Sequence, residues 1–317
     1  MKIEFPQGFR KKFEEILKDE FPLLESCLYK RPKECIRVNT LKISKEDLKI
    51  RLEEKSWKLE DVPWYENAFF VETQESVAKT KEFFLGYYYI QDAASLAPVL
   101  ALDPKPGEII LDACASPGSK TTFIAELMKN EGLIIANDIN PKRVKALSFN
   151  IQKIGATNIV VTMMDARNME KLKMKFDKIL LDVPCSASGT FISSFRVLEF
   201  WSQHIVERLS NLQKQLLRAA TNVLKEGGTL VYSTCSLDPE ENEENMEYAI
   251  KKLGLKPEKI EIKGLKFRRG LESYGKKVFE NAKYAIRFFP FDNQTEGFFV
   301  CKLRKWVKSK KMRLKES

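Results

Sequence analysis

The chain has 317 residues but only one histidine, His204, and its six cysteines include no CxxC pair. Structural and catalytic zinc sites draw on clustered cysteines and histidines, so this composition argues against a metal. His204 lies in the polar segment WSQHIVER with no nucleophile beside it, which argues against Ser-His-Asp and Cys-His catalysis. We expect His204 to be an ordinary helix or surface residue.

Long apolar runs are also missing. No segment approaches the roughly 18 consecutive apolar residues of a membrane span, and the N-terminal MKIEFPQGFRKKFEE lacks the apolar stretch of a secretory signal. A disulfide framework is not expected in a large chain without an export signal. We therefore expect a cytoplasmic, monomeric protein that contacts no membrane, and the length predicts two domains.

Positive charge is concentrated late in the chain. Residues 251–317 hold 20 Lys and Arg against 7 Asp and Glu, whereas residues 1–90 are balanced and residues 91–250 are weakly acidic. Cations alternate with aromatic residues in KGLKFRRG (263–270), YGKK (274–277) and RKWVKSKKMRLK (304–315). This pattern is typical of surfaces that contact phosphates. The simpler alternative is a solvated face followed by a frayed tail.

The first 90 residues mix helical and strand-like patterns. Apolar spacing predicts a helix over 9–28 with an interruption at Pro22, a strand over 31–43, and a helix that begins at the N-cap Ser44 and ends near Glu54. Shorter strand-like segments follow at 57–59, 68–71 and 87–90. Together these patterns predict a small α+β domain over residues 1–90.

After residue 107 the pattern changes to a regular alternation of strands and helices. Strands are predicted at 108–113, 133–138, 158–162, 177–182, 229–233 and 297–303. Helices are predicted at 118–129, 141–154, 240–253 and 200–224, the last ended by Gly227 and Gly228. Such alternation predicts a mostly parallel α/β sheet covered on both faces, in a catalytic domain over residues 91–305 followed by a basic tail at 306–317.

Two of the apolar runs end in a cysteine. ILLDVPCSASGT (179–190) presents Cys185, and LVYSTCSLDPEENEEN (230–245) presents Cys235. If both runs are strands of one parallel sheet, the cysteines emerge at the carboxyl edge, where open α/β sheets bind ligands. Neighbouring strands lie about 4.8 Å apart, so both thiols could touch one flat ring. A single buried cysteine is more simply explained as a small apolar residue, and this alternative covers Cys27, Cys35 and Cys301.

The turn after the first strand of the alternating region is DACASPGSKTT (112–122), which matches neither GxGxxG nor GxxxxGK[ST]. Asp138 ends the second strand, and Asp165 and Asp182 follow the third and fourth. Acids at successive strand ends suit a cofactor with a ribose and an amine-bearing base, whose hydroxyls would donate to Asp138 and whose amino group would donate to Asp165. Each of these aspartates, considered alone, is equally consistent with a helix-capping residue or a loop residue.

Three segments resemble, in order and spacing, the signature blocks of the Nop/Sun (RsmB/NSUN-type) RNA cytosine-5 methyltransferases: DACASPGSKT, LLDVPCSASGT and YSTCSLDPEENE. The resemblance covers about residues 37–303 and includes IRVNTLK and YIQDAAS. It implies a class I S-adenosylmethionine-dependent methyltransferase fold, with a Rossmann-like, mostly parallel sheet and a smaller N-terminal α+β domain that binds RNA. S-adenosyl-L-methionine is the implied cofactor.

The resemblance also implies roles for individual residues. Cys235 would be the nucleophile, Cys185 the thiol that assists product release, and Lys120 and Asp182 further catalytic residues. The implied cofactor-binding residues are Cys114, Ala115, Ser116, Pro117, Gly118, Ser119, Lys120, Asp138, Asp165 and Asp182, with Arg143 as an additional candidate. Ser119 replaces a commoner glycine, and Ala187 and Ser188 stand where the family often has a glycine and a small residue. The residues alone leave the order of the two thiols open, because a Pro-Cys cysteine is the nucleophile in DNA cytosine methyltransferases.

Two thiols suit this chemistry, because C5 of cytosine becomes nucleophilic only after a thiolate adds at C6. Asp182 would hydrogen-bond or protonate N3 if burial favours its protonated form, and Lys120 would provide electrostatic support. The acidic segment PEENEEN (239–245) has two interpretations. It could be the start of a helix, where the helix dipole favours acidic residues. Alternatively, Glu240 and Glu241 could support the loop that carries Cys235.

The expected activity is therefore methylation of C5 of cytosine in RNA. The compact N-terminal domain and the absence of long extensions resemble the small tRNA-modifying members of the family, so tRNA is the expected substrate. The alternatives are ribosomal RNA, a non-catalytic RNA-binding relative, and a methyltransferase for small molecules or proteins. The last of these would need neither the second thiol nor the basic C-terminal region.

Overall fold

The computed structural model describes residues 4–306. The predicted basic tail therefore lies, apart from Trp306, outside the described residues. Among the helices of the described part, none combines the length and the apolar character needed to cross a membrane.

The N-terminal part contains a four-stranded antiparallel sheet in the order β2-β3-β1-β4. Its strands are β1 (Cys35–Val38), β2 (Lys58–Asp61), β3 (Ala68–Glu72) and β4 (Tyr88–Ile90), and its helices are α1 (Gln7–Leu17), α2 (Phe21–Ser26), α3 (Lys45–Glu53) and α4 (Lys81–Phe84). Helix α3 begins as predicted, because the Ser44 side chain accepts a hydrogen bond from the Asp47 N–H. The helix predicted over 9–28 is instead two helices separated by a 3₁₀ turn at Lys18–Glu20, and Pro22 lies in the first turn of α2, where proline is tolerated.

The second part is built on a nine-stranded sheet with the order β11-β14-β15-β9-β8-β5-β6-β7, in which β10 pairs with β15. Strands β5 to β9 are parallel and the others join antiparallel. The strands are β5 (Ile109–Asp112), β6 (Leu133–Asn137), β7 (Ile159–Thr162), β8 (Phe176–Asp182), β9 (Leu224–Thr234), β10 (Leu255–Glu258), β11 (Arg268–Arg269), β14 (Ile286–Phe288) and β15 (Phe298–Lys305), and β12 (Ser273–Tyr274) pairs with β13 (Lys277–Val278) as a separate hairpin. The helices are α5 (Ala97–Leu102), α6 (Ser119–Leu127), α7 (Pro141–Ile154), α8 (Arg196–Phe200), α9 (Gln203–Val223), α10 (Glu243–Leu253) and α11 (Pro290–Asn293).

Both faces of this sheet are buried, as the alternation of strands and helices predicts. Successive residues of a strand point to opposite faces: Ile110 packs in a cluster with α5 and α6, whereas Leu111 packs in a cluster with α9 and α10. The lone histidine, His204, is exposed at the second position of α9, as expected.

Gly227 and Gly228, predicted to end the long helix, lie within a strand instead. Helix α9 ends at Val223, and β9 begins at Leu224 and runs through Gly227 and Gly228. The pairing of β9 with β8 is irregular in this segment. A Cβ added to Gly228 would lie 2.9 Å from the Asp177 carbonyl oxygen. The glycines therefore permit a close approach of two backbones at a bulge.

The contacts that join the N-terminal part to the large sheet domain include an aromatic cluster and a buried ion pair. Helix α1 buries Phe9 and Phe13 in a cluster that includes Phe191 and Phe289. Strand β1 contributes Arg37, which is fully buried and forms an ion pair with Glu126 of α6 at 2.8 Å. A cation from one part therefore neutralises a carboxylate inside the other.

Three of the six cations in the segments 263–270 and 274–277, which the sequence predicts to face phosphates, form ion pairs within the protein. Arg268 binds Glu20 and Asp292, Arg269 binds Glu261, and Lys277 binds Glu244. In the segments 263–270 and 274–277, these ion pairs take up much of the positive charge that the sequence assigns to a phosphate-contacting face.

Candidate active site

The two predicted cysteines lie side by side. Cys185 follows β8 and Cys235 follows β9, and these strands are parallel neighbours with Asp182 in register with Ser233. The two Sγ atoms are 3.2 Å apart. The parallel sheet thus brings together two thiols that are fifty residues apart in sequence.

The loops that carry the thiols pack directly on each other through Gly189. Its N–H donates to the Cys235 carbonyl at 2.8 Å, and its carbonyl accepts from the Gly297 N–H at 2.9 Å. A Cβ at position 189 would lie 2.5 Å from the Gly297 carbonyl oxygen and 2.7 Å from that of Cys235. Only glycine allows this approach without a shift of the backbone.

Lys120 and Asp182 form an ion pair beside the thiols. Lys120 lies in the first turn of α6, after Gly118 at φ +106°, and its Nζ is 2.8 Å from Asp182 Oδ2. The other carboxylate oxygen of Asp182 accepts a hydrogen bond from Ser233 Oγ at 2.7 Å. Burial alone would lower the pKa of Lys120, but the Asp182 carboxylate and the Cys235 sulfur outweigh it and raise that pKa. Lys120 is therefore a cation at this position.

The environments of the two thiols differ. The hydrogen bond with Cys235 raises the pKa of Cys185 well above that of an ordinary thiol, and burial and the nearby Glu241 carboxylate act in the same direction. Cys185 therefore keeps its proton at neutral pH. A protonated thiol at contact distance can donate a hydrogen bond to the Cys235 sulfur.

A cavity of about 400 Å³ opens at the carboxyl edge of the sheet and contains both sulfurs on its wall. Of the residues predicted for the site, it is lined by Cys114, Ser116, Asp138, Arg143, Asp165, Asp182, Cys185 and Cys235. The other predicted residues of the turn, Ala115, Pro117, Gly118, Ser119 and Lys120, are not among those that line it. Lys120 reaches the site through Asp182 instead.

The acids of the cavity are held in place by their neighbours. Asp138 accepts a hydrogen bond from the Asn140 N–H at 2.9 Å and lies 3.4 Å from the Arg143 guanidinium. Arg143 also donates to the Ser116 carbonyl at 2.7 Å, which ties the turn to α7. Asp165 accepts from Arg167, and this hydrogen bond lowers the pKa of Asp165. Both carboxylates are therefore available as acceptors on the cavity wall.

Two buried oxygens near the cavity have no hydrogen-bond partner among the described residues, Ser116 Oγ and Asp112 Oδ1. Ser116 lines the cavity, while Asp112 lies beneath it and accepts from Thr121 Oγ1 at 2.6 Å. Burial raises the pKa of Asp112 to about 7. An unsatisfied hydroxyl and two carboxylates on one wall fit a cofactor with ribose hydroxyls and amino groups.

Other lining residues were not predicted from the sequence. They are Ala113, Asn137, Ile139, Ala166, Arg167, Val183, Pro184, Ala187, Leu212 and Leu216. Asn137 and Ile139 flank the predicted Asp138, so the strand end could have indicated them. Leu212 and Leu216 belong to α9, and nothing in their spacing distinguishes a cavity wall from an ordinary apolar face.

Comparisons with known proteins agree with this architecture. The family model for 16S rRNA methyltransferase RsmB/F matches residues 99–304, and that for the N-terminal domain of 16S rRNA methyltransferase RsmF matches residues 5–93. The chain is 40% identical over 280 residues to a tRNA (cytosine(49)-C(5))-methyltransferase of Pyrococcus abyssi, covering 88% of this chain and 90% of that protein.

A second relative is a ribosomal RNA small subunit methyltransferase F of Vibrio parahaemolyticus, 39% identical over 319 residues. The match covers 96% of this chain but spans 64% of the length of that protein. The crystal structure of NSun6 from Pyrococcus horikoshii with SFG, an S-adenosylmethionine analogue, is similar with a TM-score of 0.84 at 28% identity. The match covers 96% of this chain and 100% of the chain in that crystal structure.

Proposed function

The chain belongs to the RsmB/F (NOL1/NOP2/Sun) family of S-adenosylmethionine-dependent RNA cytosine-5 methyltransferases, and we propose that it methylates C5 of a cytosine in tRNA through a covalent adduct at Cys235. The observation that carries the adduct chemistry is the pair of sulfurs at 3.2 Å on the cavity wall. One thiol would add to the base, and the other would assist its release.

The choice of tRNA rests on the Pyrococcus abyssi relative, which this chain matches over 90% of its length. Ribosomal RNA is the second candidate, because the relatives named for ribosomal RNA are nearly as similar in sequence, at 39% identity. The match to the Vibrio protein spans 64% of that protein's length. We place tRNA first because the match to the Pyrococcus protein spans 90% of that protein at 40% identity.

In the proposed mechanism, the Cys235 thiolate adds to C6 of the unstacked cytosine, which makes C5 nucleophilic. Asp182 in its protonated form would donate a hydrogen bond to N3, where electron density rises during the addition. Its ion pair with Lys120 fixes the orientation of the carboxylate and places a positive charge next to the developing negative charge on the base.

Product release would depend on the second thiol. After the methyl group is attached, a water molecule at the site would take the C5 proton, and the electron pair of the C5–H bond would re-form the C5=C6 bond. The bond from C6 to Cys235 would then break, with its electron pair leaving on the sulfur as a thiolate. Because Cys185 keeps its proton and lies 3.2 Å away, it would donate a hydrogen bond to the departing Cys235 sulfur. We assign Cys235 as the nucleophile and Cys185 as the thiol that assists elimination from the resemblance of their segments to the family's signature blocks, and the raised pKa of Cys185 fits this order.

S-adenosylmethionine, when bound, supplies the electrophilic methyl group. We propose that Asp138 binds the ribose of the cofactor and Asp165 its adenine amino group, and that Cys114 and Ser116 contact it from the turn. All four residues line the cavity. The roles of these residues follow from the position of each acceptor on the cavity wall and from the chemistry of the cofactor.

The test is transfer of a labelled methyl group to total tRNA and, separately, to ribosomal RNA. Wild type should label tRNA, Cys235→Ala should be inactive, and Cys185→Ala should accumulate an RNA adduct that survives denaturation. An adduct in Cys235→Ala would reverse the two thiols, and labelling of ribosomal RNA alone would make the second candidate the substrate. RNA binding without transfer by wild type would indicate a non-catalytic relative.

A further inference from the structure

A buried carboxylate bridges the two loops that carry the thiols. Glu241 is fully buried and accepts hydrogen bonds from the Ser186 N–H at 3.0 Å, from Ser236 Oγ at 2.8 Å and from Gln213 Nε2 at 2.7 Å. Ser186 directly follows Cys185, and Ser236 directly follows Cys235. A single side chain thus connects both loops at the residue next to each thiol.

Glu241 is itself firmly held. Its carbonyl accepts hydrogen bonds from Tyr232 Oη at 2.5 Å and from Asn245 Nδ2 at 3.2 Å, so strand β9 and helix α10 both fix its backbone. Gln213 also donates to the Pro184 carbonyl at 2.9 Å, which extends the contact to the residue before Cys185. Movement of Glu241 would therefore move both loops.

The burial of this carboxylate is unfavourable by itself. No Lys or Arg within residues 4–306 forms an ion pair with it, whereas its neighbour Asp238 is paired with Lys12 at 2.7 Å. Burial raises the pKa of Glu241 to about 7, and the Asp238 charge acts in the same direction. A buried acid without a cation costs free energy that an apolar residue would not, and such groups concentrate at functional sites.

We propose that Glu241 is a positioning residue that holds Cys185 and Cys235 in contact by bridging their loops. This inference rests on the proposed function, because the distance between the thiols matters to catalysis only if both act on one base. Within the described residues Glu241 hydrogen-bonds to Ser186 and Ser236 and to neither sulfur, so it acts through these two serines.

The first measurement reports the distance between the thiols without RNA or cofactor. Dibromobimane becomes fluorescent when it bridges two nearby thiols, and Cys185→Ala and Cys235→Ala provide the background. We expect Glu241→Gln to slow bridging at least about tenfold, since a glutamine has one acceptor oxygen and cannot accept from both Ser186 and Ser236 as the two carboxylate oxygens do. The matched control is Glu247→Gln, which changes a buried acid of α10 that binds Asn281 away from the thiols.

The second measurement separates positioning from folding. Glu241→Gln should lower kcat for tRNA at least about tenfold while KM for tRNA and the Kd of S-adenosylmethionine stay within about twofold of wild type. Ser236→Ala removes one donor and leaves the buried acid in place, so it should slow bridging by a smaller factor of about two to ten. The bridging rate of Ser236→Ala tests the inference if Glu241→Gln fails to fold.

Bridging at the wild-type rate in Glu241→Gln, or in Ser236→Ala when the first variant does not fold, would refute the inference. A loss of bridging shared equally by Glu247→Gln would also refute it, because the effect would then be general destabilisation. If bridging slows as expected but wild type methylates no RNA, the proposed function fails while the positioning of the thiols by Glu241 stands.

Discussion

Replacing Arg37 with methionine is expected to destabilise the whole protein. Arg37 is fully buried in β1 and donates to Glu126 at 2.8 and 3.0 Å, to the Ser119 carbonyl at 2.8 Å and to Thr122 Oγ1 at 2.8 Å. Its guanidinium also lies 4.8 Å from the centre of the Phe123 ring. Methionine can fill part of this space but cannot neutralise the charge of the Glu126 carboxylate.

The magnitude follows from the Glu126 carboxylate, which would remain without its cation. Burial already raises the pKa of Glu126, and Arg37 opposes this effect. Removing one partner of a buried ion pair typically costs about 3 to 5 kcal/mol. At about 2.1 cal/mol/K of unfolding entropy per residue, this loss corresponds to a decrease in melting temperature of roughly 5 to 8 °C.

The assay is chemical and thermal unfolding of four proteins. Beside wild type and Arg37→Met, the double variant Arg37→Met/Glu126→Met removes both charges and should lie within about 2 kcal/mol of wild type. Arg51→Met, at an exposed arginine of α3, is the control and should change the free energy of unfolding by less than about 0.5 kcal/mol.

Two results would contradict this reasoning. A cost below about 1 kcal/mol for Arg37→Met would mean that Glu126 finds another partner or takes up a proton without penalty. A double variant less stable than Arg37→Met would mean that the shape of the arginine, and not its charge, stabilises the contact between β1 and α6.

Three further changes have defined outcomes. The pKa of Asp112 is about 7 in the folded protein and lower in the unfolded protein, so its contribution to stability is present at low pH and is lost as pH rises through 7. The stability of Asp112→Asn relative to wild type should therefore increase between pH 4 and 8, by at most about 4 kcal/mol. Urea unfolding at each pH measures this difference. Gly189→Ala should destabilise by about 1 to 3 kcal/mol and abolish methyl transfer, because its Cβ would overlap two carbonyl oxygens; wild-type activity would show that the loops adjust. Lys120→Met should lower the single-turnover rate about 100-fold by removing the cation beside Asp182, and an unchanged rate would exclude the proposed electrostatic role.

Elements with local signals could be predicted closely from the sequence. Helix α7 spans Pro141–Ile154 as predicted, because Asn140 caps its start, Pro141 fits its first turn and Gly155 adopts the left-handed conformation at its end. The short strands β10, β11 and β14 were not predicted. Their two to four residues form strands only because β15 and its neighbours supply hydrogen-bond partners.

The site could be predicted only in part for the same reason. Cys185 and Cys235 each end a recognisable strand, so a parallel sheet was enough to bring them together. The bridge through Glu241 depends on how a later loop folds beneath both strands, and the ion pair of Arg268 with Glu20 joins residues 248 positions apart. Local sequence patterns carry no information about such distant partners. For this reason the sequence did not predict that ion pairs with distant acidic residues neutralise part of the charge of the basic segments.

The position of β15 in the sheet has a consequence for synthesis of the protein on the ribosome. Strand β15 pairs with β9 from Thr229 to Thr234, directly before Cys235, although it is translated much later than β9. Until β15 emerges from the exit tunnel, β9 has an unpaired edge with apolar side chains, which is a site for aggregation. The nascent chain therefore completes the support of the loop that carries Cys235 only after β15 has been made, and chaperones that cover exposed strands would be needed most during that interval.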